Sequence, residues 1–149
     1  MKKMTDGKIE GRYRSMLILW AGQMGTIGLF FLLTQFVEVS DDRAPNNLLS
    51  FVLAAVGTFV AIISFVIKGK LLQKSVEKQD IALVQQANVV ACALCEVPAL
   101  FGVAERFLLP GREYLLMLFL SAVTMALHFP RKINLLAASY KDPKFGGTV

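Results

Sequence analysis

Read from its amino terminus, the chain alternates long apolar runs with short polar bursts. Four stretches are nearly free of charge: 16–37, 48–67, 81–104 and 114–129. As helices rising about 1.5 Å per residue, the first three are long enough to cross a hydrocarbon core of about 30 Å. The fourth reaches that length only if it begins near Pro110 or continues past Pro130. The pattern predicts an all-α integral membrane four-helix bundle, a single transmembrane domain over residues 1–149. Outside the spans it leaves a basic tail at 1–14, a charged loop at 68–80 and a tail at 131–149. The first run is too long for the apolar stretch of a cleavable signal peptide, and no small-residue cleavage site follows it.

Composition agrees, with 55% hydrophobic and 18% charged residues, well away from an ordinary soluble domain. The charge distribution adds a direction. Thirteen of the sixteen Lys and Arg fall before the first span, between the second and third, or after the fourth, leaving Arg43, Arg106 and Arg112 for the other side. Cytoplasmic segments are enriched in Lys and Arg, so both termini are expected inside, in a bacterial inner membrane. A polybasic fringe on a membrane surface accounts for the net charge of +5 without a nucleic-acid partner. The acidic, turn-rich EVSDDRAPNN and the short ERFLLPGREY then form the two external connections.

Little polypeptide remains for soluble chemistry. The chain has no Walker loop, no HExxH, no GxSxG and one histidine, His128, so it reads as a non-enzyme. Cys92 and Cys95 form a CxxC in the middle of a span. There an i, i+3 pair on a helix is a poor disulfide geometry, and small side chains serve helix packing.

Glu96 is harder to account for. A carboxylate near the bilayer centre costs roughly 2.5–3.5 kcal/mol even on the lenient insertion scale, and such groups face a partner or a pathway. At 100° per residue, Gln85, Asn88, Cys92 and Glu96 share one face of the third span, continued by Ala99 and Val103, which makes a polar stripe leading to the glutamate. Two readings stand: a group that takes up and releases a proton, or an interhelical hydrogen bond from Glu96 to a partner such as Gln23 of the first span. Trp20 and Tyr114 fit an interfacial aromatic belt. His128, beside Pro130-Arg131-Lys132, is expected to reach headgroups and water. It is also a candidate ligand for haem or chlorophyll, and no other cofactor or metal is indicated. Gly22, Gly25 and Gly28 make a smooth face where a neighbouring helix is expected to approach closely. The segment INLLAASYKDPKF is expected to be amphipathic for one or two turns, lying along the interface.

Residues 53–109 contain a small-residue helix, a polar loop, and a return helix in which Glu96 is followed by Val97-Pro98-Ala99-Leu100-Phe101-Gly102. This segment resembles the helical hairpin of the rotor-ring proteolipid, the c subunit of rotary F- and V-type ATP synthases and ATPases. The resemblance implies that Glu96 is the ion-carrying carboxyl, that the loop faces the cytoplasm, and that other membrane subunits or further copies of the chain are partners. LWAGQMGTIGLFF of the first span sets Gln23 where the return helix has Glu96, similar to the duplicated four-span proteolipids in which one copy lacks the carboxyl. Where the family's inner helix has a glycine run, AAVGTFVAIISF has one glycine and the bulky Phe59, Ile62 and Ile63. The alternative function is a noncatalytic accessory subunit of a larger respiratory or photosynthetic membrane complex, its surface binding lipids or pigments.

Overall fold

The computed structural model describes residues 6–37, 47–110 and 112–139. Residues 1–5, the acidic connection after the first span, Gly111 and the tail beyond Ser139 lie outside them. Five helices follow one another: α1 Asp6–Phe36, α2 Asn47–Lys78, α3 Ile81–Leu108, α4 Tyr114–Leu127 and α5 Lys132–Ser139. The described residues contain no strand. Helices α1 to α3 are long and apolar enough to cross a membrane, and α4 with α5, bent by 45° at a short break, makes up to four. The architecture is that of an all-α integral membrane protein.

The helices overrun the apolar runs that announce them. α2 has 32 residues, about 48 Å at 1.5 Å per residue. The stretch expected as a charged loop at 68–80 is helical as far as Lys78. Its Lys, Leu, Gln and Glu are good helix formers, so the hydropathy change there marks a change of surroundings rather than a helix end. The chain reverses in two residues. Gln79 adopts φ 51°, its N–H reaches the Val76 carbonyl at 3.2 Å, and the Asp80 N–H reaches the Ser75 carbonyl at 2.9 Å. This is the Schellman pattern, here with glutamine in the left-handed position. The Asp80 carboxylate then caps α3, accepting from the Ala82 N–H at 2.8 Å.

α3 is the central helix, in contact with all four others, whereas α1 and α2 lie on different sides of it. Its buried residues recur at helical spacing, through Val84, Ala87, Ala91, Cys95, Pro98, Gly102 and Glu105. Two glycines set how closely its neighbours come. A Cβ built on Gly102 would lie 2.9 Å from the Tyr114 carbonyl oxygen, and one on Gly57 would lie 3.2 Å from Met117 Sδ. The stripe Gly22, Gly25, Gly28 behaves otherwise than expected. Among the described residues, a Cβ on any of the three meets nothing within 4 Å, so this face of α1 turns away from the other described helices.

At one end, the start of α1, the α2–α3 turn and α5 close over Ile9, Met16, Ile81, Val84, Leu135 and Ala138. The Lys132 ammonium meets the Glu10 carboxylate at 2.7 Å. α5 is the expected short helix, its Leu135 and Ala138 buried against the helix ends. Arg12, Arg14, Lys70, Lys74, Lys78 and Arg131 belong to this end; Arg106 and Arg112 belong to the other.

Candidate functional site

Glu96 stands near the midpoint of α3. Relative to the buried line through Cys95, it is rotated by about 100°, onto the flank of the packed stripe, and it is half-buried. Its carboxylate makes no hydrogen bond or ion pair with a described residue. The Gln23 tie expected as one reading is therefore not made, although Gln23 too is half-buried. Pro98, two residues on, has no N–H to give the Leu94 carbonyl, so the helix loses one backbone bond beside the acid.

The other stripe residues divide between surface and core. Gln85 is half-buried, whereas Asn88 and Cys92 are buried. The Asn88 Nδ2 donates to the Val84 carbonyl at 2.9 Å, and its buried Oδ1 has no partner among the described residues. An orphan acceptor of this kind costs about 1–3 kcal/mol. Cys92 and Cys95 are free thiols, packed with Ile27, Ala99, Leu118 and Met125. They act as small apolar side chains in the core.

His128 departs furthest from its expected place at the headgroups. It is 1% exposed, at the end of α4, where the chain bends towards α5. Its Nε2 shares a 2.8 Å hydrogen bond with Ser64 Oγ, and Phe65 lies 4.2 Å away, centroid to centroid. Ser64 also donates to the Ala61 carbonyl at 2.6 Å and sits 3.6 Å from Cys95 Sγ. The Lys68 ammonium closes the group on the His128 carbonyl at 2.9 Å. The Nε2 is bonded to Ser64 and the ring is enclosed, so His128 ties α2 to the end of α4. Trp20 and Tyr114 likewise turn their polar atoms to protein. The indole N–H donates to the Met125 carbonyl at 2.9 Å, and Tyr114 is 6% exposed with its hydroxyl 3.3 Å from Gln35 Nε2.

Sequence reasoning passed over Glu105. It is 4% exposed and accepts a short hydrogen bond from Ser50 Oγ. Nine residues from Glu96, it falls on the opposite side of α3, where it borders a cleft of about 340 Å³ with Ser50, Glu113 and Met117. The available signal was periodic: position 105 continues the buried line through 95, 98 and 102. Among the described residues, no three His, Cys, Asp or Glu side chains are grouped to hold a metal ion.

No family model matches this chain, and no curated protein or solved structure is significantly similar to it.

Proposed function

We propose that the chain is a proton-handling subunit of a larger membrane assembly, in which Glu96 binds and releases a proton. It crosses the bacterial inner membrane four times, with α4 and α5 as the last crossing and both termini in the cytoplasm. The observation that supports this most directly is that Glu96, halfway along α3, has no hydrogen bond or ion pair to a described residue. A carboxyl group serving as a structural tie would be engaged with its own chain. In hydrocarbon the neutral acid is the favoured form; ionisation then requires water or a cation brought alongside. Glu96 pairs with none of the described cations. Lys68 is held on the His128 carbonyl, and Arg106, ten residues along α3 and so about 15 Å away, is held on Thr34. The activating cation or hydrated channel is thus supplied by a partner. The resemblance of 53–109 to rotor-ring proteolipids points the same way, while Phe59, Ile62 and Ile63 on α2 favour a heteromeric assembly over a tight ring of identical copies.

The test is to purify the assembly in mild detergent with wild-type chain and with Glu96→Gln, reconstitute both, and follow proton uptake with an enclosed pH dye. The variant is expected to co-purify normally and to lose uptake. Uptake at the wild-type rate would dismiss the proposal. A second reading, an accessory subunit that fills a groove and binds lipids or pigments, is supported by the apolar outer faces of α1 and α2, where Ile18, Leu29, Phe36, Phe51 and Phe59 are exposed. That reading expects Glu96→Gln to leave uptake intact.

A further inference from the structure

Arg106 and Arg112, two of the three arginines outside the basic end, line one cleft. It occupies about 530 Å³ between the end of α1, the end of α3 and the start of α4, with Thr34, Gln35 and Tyr114 in its wall. The volume is within the usual range of ligand clefts, about 300–1,000 Å³. Arg106 is held in position from two sides: its Nε donates to the Thr34 carbonyl at 3.3 Å, and its guanidinium carbon stands 5.4 Å from the centroid of the Tyr114 ring. Tyr114 is in turn fixed by Gln35. These contacts leave the two Nη groups, the fork that matches an oxyanion, without a partner among the described residues. Arg112 has no ion pair there either and is exposed. Of the nearby acids, Glu105 is bonded to Ser50, and both it and Glu113 line the other cleft.

Two guanidinium groups that line one cavity with no counter-ion among the described residues repel each other, and an anion between them removes the repulsion while filling the fork. The level in the bilayer is informative. Thr34 and Gln35 are in the last turn of α1, Arg106 in the last turn of α3, and Tyr114 opens α4, so the cleft lies where the apolar spans end and headgroups begin. We infer that this cleft binds a phosphate oxyanion through Arg106 and Arg112, either the headgroup phosphate of an anionic lipid or free phosphate. The inference is independent of Glu96.

The full chain, in phosphatidylcholine nanodiscs with and without phosphatidylglycerol, gives the test. Phosphatidylglycerol retained per chain is read by native mass spectrometry, and inorganic phosphate binding in the phosphatidylcholine discs by phosphorus-31 line broadening. Wild type is expected to retain phosphatidylglycerol or to bind phosphate, and Arg106→Gln/Arg112→Gln to lower that binding about tenfold or more. Retained lipid that phosphate does not displace identifies the headgroup as the ligand; displacement identifies the soluble anion. Arg106→Lys, which keeps the charge without the fork, is expected to fall between. The control Lys70→Gln/Lys74→Gln, at the basic end, is expected to leave the arginine-dependent fraction unchanged. If the double variant does not fold, as judged by its melting curve, the exposed Arg112→Gln alone must still weaken binding. Wild-type binding in the folded arginine variants, or no binding of either probe by wild type, overturns the inference.

Discussion

The two sides of α3 differ in what they ask of a side chain. One meets α2 and α4 at close range: Gly102 has no room for a methyl group, Ser121 Oγ donates a short hydrogen bond to the Cys95 carbonyl, and the buried Glu105 is satisfied by Ser50. On the opposite flank, Glu96 is half-buried and bonded to nothing described. Two glutamates on one helix thus illustrate two ways of keeping an acid in an apolar protein, one by giving it a hydrogen-bond partner and one by leaving it available. Polar groups that have a partner in their own chain contribute to stability; one without a partner is better explained by what lies outside the chain.

Substitutions should separate the two sides by size of effect. Gly102→Val pushes branched carbons into the Tyr114 backbone and is expected to cost about 3 kcal/mol or more, read as a large drop in detergent melting temperature; a variant as stable as wild type would mean that α3 and α4 are not in close contact there. Ser50→Ala removes the partner of a buried carboxyl and is expected to cost about 2 kcal/mol, with Ser50→Thr recovering most of it. Gly57→Ala brings a methyl group 3.2 Å from the flexible end of Met117, with Phe101 and the Pro98 backbone at ordinary contact distance; the helix propensity gained offsets the crowding, so the net change is expected to stay within about 1 kcal/mol. Glu96→Gln is expected to shift stability by less than about 0.5 kcal/mol. A loss comparable to that of Ser50→Ala would erase the distinction between the two glutamates.

Much of this architecture is legible in the apolar runs, because a membrane span must satisfy its own backbone and therefore declares itself by length. Helix ends are less legible. Lys70, Lys74 and Lys78 leave the membrane pattern but not the helix, since hydropathy reports surroundings and propensity reports conformation. Which small residues meet a neighbour is a tertiary fact: Gly22, Gly25 and Gly28 have the more suggestive spacing, yet Gly57 and Gly102 make the close approaches. His128 was obscured by the Pro-Arg-Lys that follows it, because only the bend after α4 and the position of Ser64 on α2 bring the imidazole inside. Glu96 could be singled out from its apolar neighbours alone; Glu105, next to Arg106 and the turn, could not be told from a loop residue without following the buried period.

The most direct measurement is site-resolved labelling with a hydrophobic carbodiimide, which attacks neutral carboxyl groups from the lipid phase. The chain, in native membranes, would be labelled, digested and quantified by mass spectrometry at Glu96 and Glu105 in the same sample. Labelling concentrated at Glu96, slowed as pH rises and absent in Glu96→Gln, is the expected result. Labelling of Glu105 with Glu96 untouched would contradict the central claim that Glu96 is the accessible, proton-bearing acid of this protein.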